Sequence, residues 1–230
     1  MVIVSLDWLP LQVHYERCLA AAGATPGGVD WPDARDLEQR FEVQLGVLDA
    51  VPRGATRPVL LDLGCGPGLL LNYLAATGRV ESVEYRGIDI SPAMIDLGRQ
   101  RWPAKHFEVR DITADPLPPE SVDVVVMNGV LTERQGIARE RMVCMAEALL
   151  TAAFRAARCG IVFNVMSRHV DWEREDLFHW GFDEVAAFLK RNVTRHFSFR
   201  ADYGLFEFTT FAWRHPRRVE AGAGPDWWSA

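Results

Sequence analysis

The chain has 230 residues, nearly half of them apolar and about a quarter charged, with a formal net charge of -6; that is enough for one domain with a sizeable core. The acidic balance argues against a nucleic-acid surface as the main partner, since such surfaces are basic. The start, MVIVSLDWLPLQVHYERC, lacks the basic flank and long apolar core of a signal peptide, and no apolar run approaches the roughly 18 residues of a membrane span; a cytoplasmic protein with no membrane partner is the expectation.

In chain order, residues 11–22 and 33–50 read as two helices, the second marked by Phe41, Leu45 and Leu48 at spacings of three and four. The loop GATPGGVDWPD between them is rich in turn formers. Residues 58–63 (PVLLDL) form a short buried strand, followed by three glycines at alternate positions and a helix from about Leu69 to Ala76. The alternation then repeats. YRGIDI (85–90) is a strand, and SPAMIDLGRQRW is a helix with Ser91 at its N-cap and Pro92 at its first position. HFEVRDI is a third strand. VDVVVMNGV, continuous and rich in valine, has the pattern of a strand buried on both faces. A helix from about Ala138 to Ala157, the strand GIVFNVM, the helix FDEVAAFLKRN and two aromatic runs around a turn near Asp202–Gly204 complete the order.

This order implies one domain over residues 1–215, with a C-terminal tail over 216–230 expected to be mobile apart from Trp227 and Trp228. The expected fold is a doubly wound, Rossmann-like α/β architecture: a seven-stranded, mostly parallel sheet ending in an antiparallel hairpin, with residues 1–50 laid over it as a helical lid. The four cysteines, Cys18, Cys65, Cys144 and Cys159, form no C-x-x-C pair. They read as reduced thiols, with no zinc or disulfide framework.

The stretch LLDLGCGPG lies between a buried strand and a helix, at the sheet edge where open α/β proteins bind ligands. Glycine there permits positive φ and close approach of a ligand to the backbone, and the helix behind offers unpaired amides. Gly64, Gly66 and Gly68 give G-x-G-x-G, without the third small residue of the dinucleotide fingerprint, which would fall at Leu69. Asp62 precedes the loop. A carboxylate aimed into it repels a pyrophosphate and suits a ligand bearing an ammonium group.

These residues resemble the class I S-adenosylmethionine-dependent methyltransferases, and the resemblance covers most of the chain. LLDLGCGPG is similar to their first motif, GIDIS to the second, VRDI to the third and VDVVVMNGVL to the fourth. The resemblance implies S-adenosylmethionine as cofactor, bound by Asp62, Gly64, Cys65, Gly66 and Gly68 around the loop. Asp89 would take the ribose hydroxyls, with Ile90 and Met94 beside it. Asp111 would accept from the adenine amino group, and the backbone of Ile112 would meet the ring. The chain at Asn128 would pass the sulfonium. VDWPDARDLEQRF, with SRHVDWEREDLF and RADYGLFEFTTF, is further similar to small stand-alone bacterial methyltransferases of glycan and natural-product pathways. This implies a small-molecule acceptor carrying a hydroxyl or an amine.

On the acceptor side the sequence offers candidates. Arg40 could reach the cofactor's carboxylate as a fork of donors. Trp31, Tyr203 and Trp172 are candidates for lining the acceptor pocket. A hydroxyl acceptor benefits from a general base, and His169 after the fifth strand, His14 on the lid helix and Glu133 after the fourth strand could serve. Two other readings stay open: a SAM-binding regulatory module without activity, and a nicotinamide-dependent oxidoreductase on the same sheet.

Overall fold

The computed structural model describes residues 8–31, 33–52 and 57–216; the expected tail beyond Pro216 and the first seven residues of the expected lid lie outside these. The helices are α1 (Leu9–Ala22), α2 (Ala34–Leu45), α3 (Leu69–Ala76), α4 (Pro92–Arg101), α5 (Arg139–Ala156) and α6 (Phe182–Asn192). The strands are β1 (Val59–Leu63), β2 (Glu84–Asp89), β3 (His106–Val109), β4 (Val122–Leu131), β5 (Ala157–Ser167), β6 (His179–Trp180), β7 (Phe197–Arg200) and β8 (Glu207–Trp213).

All eight strands join one sheet in the order β3-β2-β1-β4-β5-β8-β7, with β6 pairing to β5 off this path. β1 to β5 run parallel, and β8 and β7 close the sheet antiparallel. The expected seven strands are present, and the two-residue β6 is an addition too short to carry a periodic signal. Helices cover both faces: α5 and α6 pack on one, α2, α3 and α4 on the other. That double cover is why β1 and the middle of β4 are almost wholly buried and read as unbroken apolar runs. Strand order reverses between β1 and β4, so their carboxyl ends diverge and leave a crevice.

Two local departures from regular structure shape that crevice. The second helix stops at Leu45, and Gly46–Ala50 continue as a 3-10 turn. In β4 the pairing with β5 moves from Met127↔Phe163 to Leu131↔Val165, so three residues on β4 face one on β5. Such a bulge bends the strand and frees backbone from the ladder. Gly129, at its centre, has φ +76°, and its N–H donates to Asn164 Oδ1 at 2.8 Å instead.

Asn164 belongs to a buried polar network that spans α2, β4, β5 and β8. Gln44 Nε2 also donates to its Oδ1 (3.2 Å), while Asn164 Nδ2 donates to Glu207 Oε1 (3.1 Å). The Tyr203 hydroxyl donates to the same oxygen (3.1 Å) and pairs with Thr209 Oγ1 (2.9 Å). Arg40 Nε donates to Glu207 Oε2 at 2.9 Å. Both charged side chains are almost fully removed from water, so each relies on the other. Replacing Glu207 by Ala leaves the guanidinium, the Asn164 amide and the Tyr203 hydroxyl short of an acceptor. We expect Glu207→Ala to destabilise the fold by about 3–5 kcal/mol, read as a large fall in the midpoint of thermal or urea unfolding, and Glu207→Gln to lose less.

Candidate active site

The glycine loop is sewn to the end of β2. Gly64 N and Cys65 N both donate to Ile88 O (2.7 and 3.1 Å), and Gly66 N donates to Asp89 Oδ2 at 2.9 Å. Asp89 Oδ1 accepts from Ser91 N at 2.9 Å. The loop reaches this path only with positive φ: +75° at Gly64, +52° at Gly66 and +83° at Gly68. At Gly64 space forbids a side chain as well, since a Cβ would stand 2.3 Å from Val130 Cγ2. The alternating glycines thus have one cause, a left-handed turn pressed against the neighbouring strand.

The crevice at this edge opens into a concave cavity between the sheet edge and the N-terminal helices. Asp62, Gly64, Cys65, Gly66, Asp89, Ile90, Met94, Asp111, Ile112 and Asn128 all line it. These ten residues come from four separate stretches of sequence, and the fold brings them together. Gly68 stands behind them: it caps α3, and a Cβ there would press on Phe107. The buried Cys65 thiol donates to Gly66 O (3.4 Å) and packs against Gly87, so it serves as filling.

The carboxylates differ in environment. Asp62 is buried and accepts from the Tyr85 hydroxyl at 2.7 Å; burial pushes its pKa up to about 7, against the lowering effect of that bond. Burial also raises Asp89, against the backbone amides of Ser91 and Gly66. Each Asp89 oxygen keeps a lone pair beyond these amides. Asp111 Oδ1 accepts from Thr113 N (2.8 Å) and Thr113 Oγ1 (2.6 Å), which leaves its other oxygen uncommitted by those bonds. Asn128 Oδ1 is buried with no hydrogen-bond partner. A buried acceptor in that state fits a site that takes a polar or cationic ligand.

The opposite wall comes from α1 and the chain after it. Trp8, Leu11, Gln12 and Tyr15 line the cavity; the last three fall on one helical stripe at spacings of three and four. Trp31, Leu37 and Phe41 continue the wall. The Tyr15 hydroxyl donates to Gly129 O at 3.2 Å, and burial raises its pKa, keeping the phenol neutral. Glu16 accepts from Ser91 Oγ at 2.7 Å, fastening α1 to the start of α4. Apart from Trp31, this wall was not read from sequence. The stripe 8, 11, 12, 15 was there to be found, but an apolar helix face reads first as core.

Several expected residues lie elsewhere. Arg40 is not in the cavity wall: it sits behind Trp31, 3.9 Å from the ring centroid, with its charge committed to Glu207. Tyr203 is turned inward onto Glu207 and Thr209, because its hydroxyl completes the buried network. His169 is exposed and lines a separate surface depression with Phe182 and Phe206. β5 runs on to Ser167 beside β8, which carries the following loop over the hairpin and away from the crevice. Trp172, in the same loop, is 66% exposed and packs against Phe206. His14 acts electrostatically on Glu133, yet neither lines the cavity. His14 Nε2 is 2.9 Å from Asp30 Oδ2, on the stripe of α1 next to Tyr15. Glu133 is buried, bridged to Leu177 and bonded by Gln135 Nε2 at 2.6 Å; burial raises its pKa.

A model of the methyltransferase domain matches residues 60–153, the span that holds the glycine loop and all three cavity carboxylates. A protein of Mycobacterium tuberculosis named as a methyltransferase is 34% identical over 155 residues, 64% of this chain and 88% of that protein. The trans-aconitate 2-methyltransferase of Paracidovorax citrulli is 34% identical over 69% of this chain, which spans 56% of that enzyme. Among solved structures, the 1,6-didemethyltoxoflavin N1-methyltransferase of Burkholderia thailandensis, with that compound and S-adenosylhomocysteine bound, shares the fold with a TM-score of 0.61 at 16% identity, covering 89% of this chain and 87% of that one. A glycine loop held against β2, three carboxylates around one crevice and these relatives converge: the chain belongs to the class I S-adenosylmethionine-dependent methyltransferases.

Proposed function

We propose that the protein methylates a small-molecule acceptor seated between the cofactor residues and the aromatic wall of α1. The observation that carries this reading is that both walls belong to one cavity, with Asp62, Asp89, Asp111 and Asn128 on one side and Trp8, Leu11, Tyr15 and Trp31 on the other. When bound, S-adenosylmethionine would supply an electrophilic methyl carbon, with the neutral thioether as leaving group once the acceptor's lone pair takes that carbon.

The roles of the chain's own residues follow from their chemistry. Asp89 and Asp111 accept from hydroxyl and amino groups through their remaining lone pairs. Asp62, beneath the loop, faces the ammonium. Asn128 offers its carbonyl dipole at the bulge of β4. Trp8, Leu11, Trp31 and Phe41 exclude water and give a flat, apolar acceptor surface to lie on, with Tyr15 and Gln12 as polar points of orientation. His169 stands outside this cavity, so catalysis rests on placing a neutral amine or hydroxyl in line. Proximity of that kind supplies much of the acceleration of a two-substrate transfer.

The reading is tested by incubating the purified protein with methyl-tritiated S-adenosylmethionine and a bacterial extract, then separating label by size. Label in the low-mass fraction supports it. Label in RNA or protein overturns the small-molecule acceptor while leaving the cofactor site intact.

Two variants test the cofactor side. Asp89→Ala removes acceptor lone pairs from the ribose and the anchor of Gly66 and Ser91 together. Charge-assisted hydrogen bonds contribute roughly 1.5–3 kcal/mol each, so calorimetry should show affinity for S-adenosylmethionine falling at least about tenfold, with a lower unfolding midpoint. Asp62 makes binding depend on pH. Its pKa in the free protein is about 7, and an ammonium needs the ionised form. Below pH 7 the carboxyl must first lose its proton, so affinity should fall by up to about tenfold per unit as pH drops, and flatten above. Asp89, also raised by burial, acts in the same direction. The slope specific to Asp62 is therefore the part lost in Asp62→Asn.

A further inference from the structure

Behind the acceptor wall lies a group of side chains that methyl transfer does not use. His14 and Cys18 are four residues apart on α1, so they share one face of the helix, the stripe beside Leu11 and Tyr15. Asp30 ends the 3-10 turn Pro26–Val29 that follows. The His14 ring nitrogen Nε2 is 2.9 Å from Asp30 Oδ2 and 3.8 Å from Cys18 Sγ, and the three donor atoms all fall within 4.8 Å of one another. Among the described residues no other His, Cys, Asp and Glu side chains gather in this way. In a tetrahedral zinc site, with bonds of about 2.0–2.3 Å, neighbouring donor atoms stand about 3.3–3.7 Å apart. Rotamer adjustments of a few tenths of an ångström to about one ångström would reach that spacing.

We propose that His14, Cys18 and Asp30 form a site for a zinc-class divalent cation, with solvent in the fourth position. The donor set decides the class of metal: a thiolate and an imidazole suit zinc and not magnesium or calcium, which prefer all-oxygen ligands. Local charge favours a cation as well. The carboxylates of Asp30 and Glu133 both act electrostatically on Cys18, and Glu133 and Asp176 both feel His14. Arg174, a cation that acts on Asp30 and Glu133, is paired to Asp176. On binding, the thiol proton leaves to solvent and a metal–sulfur bond forms in its place; no electron is transferred.

The consequence is mechanical. Cys18 and His14 belong to the helix that carries Leu11 and Tyr15, and Asp30 directly precedes Trp31. A metal at this point cross-links the two segments that form the acceptor wall, across a loop otherwise joined here by the His14–Asp30 contact. The pattern His-x-x-x-Cys on a helix, completed by a residue twelve positions on, is not one of the paired-cysteine spacings that announce zinc in a sequence.

Cobalt(II) is the probe, added alone to the reduced full-length protein. The expected result is one equivalent bound, with the visible bands of tetrahedral cobalt and a thiolate-to-cobalt charge-transfer band in the near ultraviolet, both bleached by zinc. Cys18→Ser should abolish the charge-transfer band, whereas Cys144→Ser, which alters an exposed thiol on α5, should keep it. Asp30→Asn should weaken cobalt binding at least tenfold. Zinc should raise the unfolding midpoint of the native chain and not that of Cys18→Ser. No charge-transfer band in the native protein, or one that persists in Cys18→Ser, would overturn the site. Unchanged binding of S-adenosylmethionine by metal-free Cys18→Ser serves as the check that this variant is folded.

Discussion

The carboxylate of Asp89 is the constraint on which the site depends. One oxygen holds the Gly66 amide and the other the Ser91 amide, so a single side chain fixes the glycine loop after β1 and the start of α4 after β2. With Ile88 O taking two more amides of the loop, the backbone around the crevice is tied down on the ligand's side of the sheet. The arrangement explains why an acid is needed at the end of β2 even before any ligand is considered: a residue without two acceptors would leave one turn loose. It also means that the carboxylate is preorganised, because its oxygens are already oriented by the backbone. Ligand binding then need not supply the ordering that a free carboxylate on a mobile loop would require.

A second layer of organisation lies under the aromatic wall of the cavity. The bulge in β4 would leave the Gly129 amide without a ladder partner, and Asn164 on β5 supplies one. Asn164 leads through Glu207 to Arg40, whose guanidinium lies against Trp31. A buried ion pair is a weak source of net stability, since desolvation offsets its attraction. Its value here is positional: it connects the bulge that bears Asn128 with the aromatic ring that faces it. The Trp31 ring also approaches Gly129 so closely that a Cβ there would be 2.9 Å away. Tryptophan, arginine and glycine at these places are therefore one packing solution.

The helix α1 is held differently from the sheet. α1 buries only Leu11 fully and is fastened by a few polar contacts, Glu16 to Ser91, Tyr15 to Gly129 and His14 to Asp30. An element with little buried apolar surface and a handful of partly exposed bonds belongs to the low end of local stability.

The sequence by itself determined the sheet and the cofactor edge. Its signals there are local: valine-rich runs for strands buried on both faces, glycines where the backbone must turn left-handed, acids at strand ends. Each of these signals is carried within a few consecutive residues, and the ten residues expected at the cofactor edge that do line the cavity were legible for that reason. Only the tertiary structure decided where the remaining candidates lie. Arg40 and Tyr203 carry the same side chains whether they face a ligand or each other's partner, and the acceptor they turned to, Glu207, is 167 residues from Arg40. His169 left the site because β5 extends to Ser167 along an antiparallel neighbour, a length set by pairing and not by the loop. The apolar stripe of α1 and the meeting of His14 and Cys18 with Asp30 depend on how a helix is rotated against its surroundings. That rotation is fixed by packing and by contacts such as Ser91 to Glu16, which join residues far apart in the chain and leave no periodic mark in it.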